Sequence, residues 1–147
     1  AWIVVNGPKE QSREAAARLE VIADSYLSVG TPAQMALSEL LGTREGFQEQ
    51  VKARVRANLR ELDRQLAPQQ ECRRLVCEGG WSAVLRVPAL QSDEALAVAL
   101  LKASGVHVHP GHFYGFAVAG HIVVSLIAPE AEFADGIRCV LEHFNRS

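Results

Sequence analysis

Gly105-Val106-His107-Val108-His109-Pro110-Gly111-His112-Phe113 holds, within nine residues, the end of a helix, a strand and the turn that stops it. Gly105 has no Cβ, which suits it to the left-handed turn that closes a helix. Ser92 is placed to cap the start of that helix. Valines alternate with histidines after the glycine, so a strand is expected over 106–108, and Pro110-Gly111 opens a loop expected over 110–119. The apolar run at 122–127 reads as a further strand. From Pro129 a last helix follows, with Phe133, Ile137, Val140, Leu141 and Phe144 at helical spacing on its buried side.

Toward the N-terminus, two strand-like runs at 73–77 and 81–87 are joined by Glu78-Gly79-Gly80. Before them lies a long amphipathic helix that Thr43 would cap and Pro68 would stop, its apolar stripe made by Phe47, Val51, Val55, Leu59, Leu62 and Leu66. Thr31-Pro32-Ala33-Gln34 has the pattern of a capping box and starts a helix expected over 32–41. Another helix is expected over 9–24, following a strand at 1–5 and the turn Asn6-Gly7-Pro8. The order is strand, three helices, two strands, helix, two strands, helix. The fold class is α/β, and the part from residue 46 onward forms an α+β unit.

With 147 residues, 48% of them hydrophobic, the chain can bury one ordinary core. Fifteen basic and seventeen acidic side chains nearly cancel, which leaves no field to recruit nucleic acid or an anionic membrane. Arg54, Arg56, Arg60 and Arg64 are interleaved with Glu45, Glu49, Glu61 and Asp63, the pattern of a solvated helix face. No apolar run approaches the roughly 18 residues of a membrane span, and no secretory leader is legible. Cys72, Cys77 and Cys139 are odd in number and lack CxxC spacing, so free thiols in a reducing, cytoplasmic setting are expected. The opening Ala1-Trp2-Ile3-Val4-Val5 enters an apolar run without an initiator methionine, as in a piece cut from something longer.

His107, His109 and His112 are the spacing a three-histidine metal site would use, but Pro110-Gly111 interrupts the strand and no acidic residue or cysteine lies nearby, so no metal is assigned. Ser82 and Ser125 lack the Gly-x-Ser-x-Gly elbow of a hydrolase nucleophile. The glycines of Asn6-Gly7-Pro8 and Glu78-Gly79-Gly80 belong to no phosphate-binding motif. Residue pattern alone therefore ends at an α/β piece without an assigned chemistry.

Five strings taken in order resemble fold-type I pyridoxal-phosphate-dependent aminotransferases of class I/II, in their C-terminal portion. Trp2-Ile3-Val4-Val5-Asn6-Gly7-Pro8 resembles the strand entered shortly after the cofactor lysine. Tyr26-Leu27-Ser28-Val29-Gly30-Thr31-Pro32-Ala33-Gln34 resembles the loop and helix start that follow. Gly79-Gly80-Trp81-Ser82-Ala83-Val84-Leu85 is similar to the Gly-Gly-aromatic strand. The segment from Gly105 to Phe113 is similar to the Gly-Val-x-Val-x-Pro-Gly passage and the aromatic region after it, and Gly120-His121-Ile122-Val123-Val124-Ser125-Leu126 to the final strand.

The resemblance implies the C-terminal part of the fold-type I transferase fold, with residues 1–45 as the tail of the large cofactor-binding domain and 46–147 as the small domain. It also implies a cytoplasmic homodimer that exchanges an amino group between an amino acid and a 2-oxo acid. Pyridoxal 5'-phosphate would be bound by the parent enzyme, through a lysine upstream of this chain. Lys9, Lys52 and Lys102 match no cofactor lysine, so no catalytic or cofactor-binding residue is assigned here and the chain alone is expected to be inactive. Val29, Gly30 and Thr31 fall in the loop that leans toward the neighbouring subunit's active site, and Phe113 matches an aromatic near the substrate. Val123 stands where the family carries the arginine that grips the substrate carboxylate. A valine cannot donate there, so another cation substitutes or the substrate differs, with His121 a conceivable helper. Another enzyme of the same fold, such as a lyase, and a non-catalytic binding or regulatory module remain open alternatives.

Overall fold

The computed structural model describes residues 3–27 and 29–145. They form two compact units, residues 1–44 and 45–147.

The first unit holds α1 (Lys9–Asp24) and α2 (Thr31–Gly42), and none of its described residues is buried. The strand expected at 1–5 is absent over Ile3, Val4 and Val5, which are exposed; Ala1 and Trp2 lie outside the described residues. A strand exists only through a partner ladder, and among the described residues every strand belongs to the second unit. The N-cap of α2 is Gly30, not Thr31, and no side chain caps this end. Gln34 does reach back, but as a donor: its Nε2 meets the Val29 carbonyl at 2.7 Å, while the amides of Ala33 and Gln34 both find the Gly30 carbonyl. The helix starts one residue earlier than expected because Pro32, without an N–H, fits anywhere in the first turn. Thr43 closes α2 instead of opening the next helix, its hydroxyl donating to the Leu40 carbonyl at 3.1 Å.

The second unit contains α3 (Arg44–Leu66), β1 (Arg73–Arg74), β2 (Ser82–Arg86), α4 (Asp93–Ser104), β3 (His109–Pro110), a 3-10 helix (Gly111–Tyr114), β4 (His121–Ser125) and α5 (Glu130–Asn145). The four strands form one antiparallel sheet in the order β1-β2-β4-β3. The period of two turns Ala83, Leu85, Ile122 and Val124 into a core shared with α3, α4 and α5, so the helices cover one face of the sheet. On the other face stand Ser82, Val84 and Arg86 from β2, with Ser125, Val123 and His121 directly opposite on β4. The mixed α+β small-domain class expected from the sequence is the one observed.

Strand limits differ from expectation. Residues 106–108 pair with nothing, and the short β3 that does pair is His109–Pro110. Proline is tolerated there because β3 is an edge strand, where its missing N–H interrupts no ladder. The expected loop over 110–119 contains the 3-10 helix, and β4 runs from His121 to Ser125, so Leu126 and Ile127 follow it. On α3 the stripe is buried only toward its end, at Leu62 and Leu66, while Phe47 is exposed. The same face buries a polar residue that the periodicity does not announce. Asn58, 1% exposed, donates from Nδ2 to the carbonyls of Leu126 and Ala128 at 2.9 and 2.8 Å, tying α3 to the connection before α5.

One carboxylate sets where β4 begins. Asp93, the first residue of α4 and only 5% exposed, accepts the backbone N–H of Gly120 at 2.6 Å and of His121 at 3.2 Å on the same oxygen. Ser92 caps the helix beside it, taking the amide of Ala95. Gly120 has a φ of +97°, and a Cβ there would lie 2.9 Å from the Val87 carbonyl oxygen, so the residue is held to glycine twice over. A Cβ on Gly111 would meet the Cβ of His121 at 2.6 Å and Asp93 Oδ2 at 3.0 Å. Both ends of the 111–120 connection are thus packed against Asp93.

Two outcomes are expected. Asp93→Ala should lower the unfolding free energy by about 3 kcal/mol, because two buried N–H groups lose a charged acceptor. Asp93→Asn, which keeps an acceptor oxygen, should cost less. Urea titration measures both, and faster hydrogen exchange at Gly120 and His121 locates the effect; equal stability of wild type and Asp93→Ala would refute it. Cys72 is buried in the core, and that burial, helped by Glu71, pushes its thiol up to about 11. It should remain protonated at pH 8 and be the last of the three thiols to be alkylated by iodoacetamide, as peptide mass spectrometry can follow.

Candidate functional site: the edge of the sheet at β3 and β4

The sheet face turned away from the helices ends at β3, and there the ladder sets His109 opposite Val123 and Pro110 opposite Ile122. Val123 is 4% exposed but outside the helix-facing core; its cross-strand neighbours are Val84 on one side and His109 on the other.

Aromatic rings gather around that histidine. The 3-10 helix brings Tyr114 back so that its hydroxyl lies 2.8 Å from His109 Nδ1, with the two rings stacked at 6.0 Å and 22°. His107 meets His109 edge to face at 5.2 Å, and the ring of Phe113 stands 6.3 Å from it. His112 turns to Phe113 instead, at 4.8 Å. The three histidines therefore do not converge, and among the described residues no group of three or more His, Cys, Asp or Glu is placed to hold a metal ion. His121 stacks on Phe116 at 4.5 Å and its Nδ1 lies 3.2 Å from the Val118 carbonyl, so its ring is engaged by the 111–120 connection. An imidazole N–H at an exposed position, its other nitrogen held by the phenol, can donate to an anionic oxygen.

Of the residues singled out in the sequence, Val123 lies opposite His109 in the ladder, and Phe113, 68% exposed, has its ring 6.3 Å from that of His109. Val29, Gly30 and Thr31 belong to the other unit, at the start of α2. Val29 lines an open apolar groove of about 940 Å³ with Tyr26, Leu27 and Leu37; Ser28 lies outside the described residues. His109 and Tyr114 were not singled out as a pair. Their five-residue separation hints at one, but the 3-10 turn that closes it is not legible in the residues.

The lysines bear on the cofactor implied by the resemblance. Lys9, Lys52 and Lys102 sit on α1, α3 and α4 at exposed positions. A lysine that condenses with a carbonyl group is activated by desolvation or by a neighbouring cation in a pocket. None of the three is desolvated, so this chain's residues do not fit the role of cofactor lysine.

No family model and no curated protein matches the sequence. Solved structures do. The α-aminoadipate aminotransferase LysN of Thermus thermophilus, complexed with N-(5'-phosphopyridoxyl)-L-leucine, superposes with a TM-score of 0.68 over 90% of this chain and 36% of its own, at 24% identity. YbdL of Escherichia coli, which has a methionine aminotransferase function, gives 0.65 over 92% of this chain and 35% of its own, at 20% identity. An aspartate aminotransferase of Rhodobacter sphaeroides gives 0.62 over 69% and 26%, also at 20% identity. The chain spans about a quarter to a third of the length of these proteins. Its fold is that of the C-terminal portion of the pyridoxal-phosphate-dependent aminotransferases, the fold-type I arrangement that its sequence resembles.

Proposed function

We propose that this chain is the C-terminal portion of an aminotransferase that moves an amino group between an amino acid and a 2-oxo acid. Residues 1–45 are the tail of its cofactor-binding domain, and 46–147 the small domain that closes over substrate. The enzyme is a cytoplasmic homodimer, and the lysine that holds pyridoxal 5'-phosphate comes from outside this chain. Val29, Gly30, Thr31 and Phe113 border the substrate, and Val123 occupies the position of the carboxylate-gripping arginine. The observation that carries this reading is the superposition of 90% of the chain on an aminotransferase. A second reading, a non-catalytic module of the same fold, draws on the valine at 123.

An amino-donor screen on the full-length protein, loaded with cofactor and run beside Val123→Arg, separates these readings. Transfer from at least one amino acid is expected. The added guanidinium should raise kcat/KM toward α-amino acids by about tenfold or more, the worth of a charged pair of hydrogen bonds. No transfer from any donor would favour the module, and a Val123→Arg profile identical to wild type would place residue 123 away from the substrate. In a companion measurement, the chain alone is mixed with pyridoxal phosphate and reduced with borohydride. Lys9, Lys52 and Lys102 should be labelled weakly and without preference; stoichiometric labelling of one of them would contradict the assignment.

A further inference from the structure

In an antiparallel ladder, directly opposite residues project from the same face with their Cβ atoms about 4.5–5.5 Å apart. His109 and Val123 are such a pair, so the imidazole shares its row with a side chain that can donate nothing. The remaining member of that row, Val84, is equally apolar. Within this row Val123 is only 4% exposed and Val84 is half-buried, so the side chain an anionic group meets is the exposed His109.

That side chain is oriented before anything binds. Tyr114 bonds its Nδ1 and stacks on its ring, and His107 closes on it edge to face. When the phenol donates to Nδ1, the ring proton resides on Nε2, which has no partner among the described residues. No carboxylate of the described chain pairs with His109 either. In that tautomer the site offers one oriented N–H donor at an exposed position.

Resting on the aminotransferase reading above, we infer that His109, oriented by Tyr114, receives a carboxylate oxygen of the amino donor. An imidazole N–H holds one oxygen, where a guanidinium fork holds two, so the carboxylate is gripped at a single point. His109 is the binding residue and Tyr114 a positioning residue.

The test uses the full-length, cofactor-loaded enzyme. Each amino acid that serves as donor is compared with the amine that lacks its carboxylate, and with the acid that lacks its amine as a competitive inhibitor. In His109→Ala, kcat/KM for the amino acid should fall about tenfold further than for the matching amine, mainly through KM, and the inhibition constant of the acid should rise by a similar factor. Tyr114→Phe should give a smaller loss of the same kind, about threefold, and His109→Gln should recover part of it. Equal losses on amino acid and amine would overturn the inference and mark His109 as structural, while leaving the aminotransferase reading intact. Should His109→Ala fail to fold, Tyr114→Phe decides, since it removes only a hydroxyl: an unchanged ratio overturns the inference. A wild-type enzyme that transfers from no donor sinks the aminotransferase reading and this inference with it.

Discussion

The grip of the Asp93 carboxylate on two successive backbone amides fixes the register of the sheet. Gly120 is held by that carboxylate through its N–H and by the amide of Val87 through its carbonyl, at 2.6 and 2.9 Å. With β4 anchored at this point, Ile122 and Val124 face the helices and Val123 faces away. A slip of one residue would reverse all of them, sending two core side chains to the open face. The identity of the residue beside His109 is therefore a consequence of a carboxylate at the head of α4, one helix removed from the ladder itself.

The two faces of the sheet have different characters for the same reason. Arg74 projects toward the helices, where Asp63 of α3 takes its guanidinium, one oxygen lying 3.0 Å from Nη2. Its neighbour Arg73 projects to the other side, directly opposite Arg86, an arrangement of like charges that favours no ladder. The helix side is closed by apolar burial and paired charge. The open side carries arginine, serine and histidine over small or branched apolar residues, a surface suited to contact with something polar.

Much of this was legible in the residues. Glycine and serine marked both ends of α4 because each does something no other residue does as well: Ser92 accepts a free amide, and Gly105 adopts a φ of +70°. Helical periodicity placed α1, α3 and α5 with their ends nearly right, since an apolar stripe recurring every three or four residues is a strong and local signal. What was not legible depended on distant partners. The apolar run at the N-terminus reads as a strand by composition, yet Ile3 to Val5 have no ladder to join. Strand limits around Pro110 were set by where β4 lies, and Asn58 is buried among leucines because two carbonyls 68 and 70 residues away need a donor. At the candidate site Val123 and Phe113 came from resemblance and His109 as one of three spaced histidines, whereas the pairing of His109 with Tyr114 emerged only with the register and the 3-10 turn.

The most direct measurement is a crystal structure of the full-length protein with an amino donor bound. A donor carboxylate oxygen within about 2.7–3.2 Å of His109 Nε2, on the face of the sheet turned away from the helices, is the expected result. A carboxylate held by other residues, away from the edge that β3 and β4 form, would contradict it.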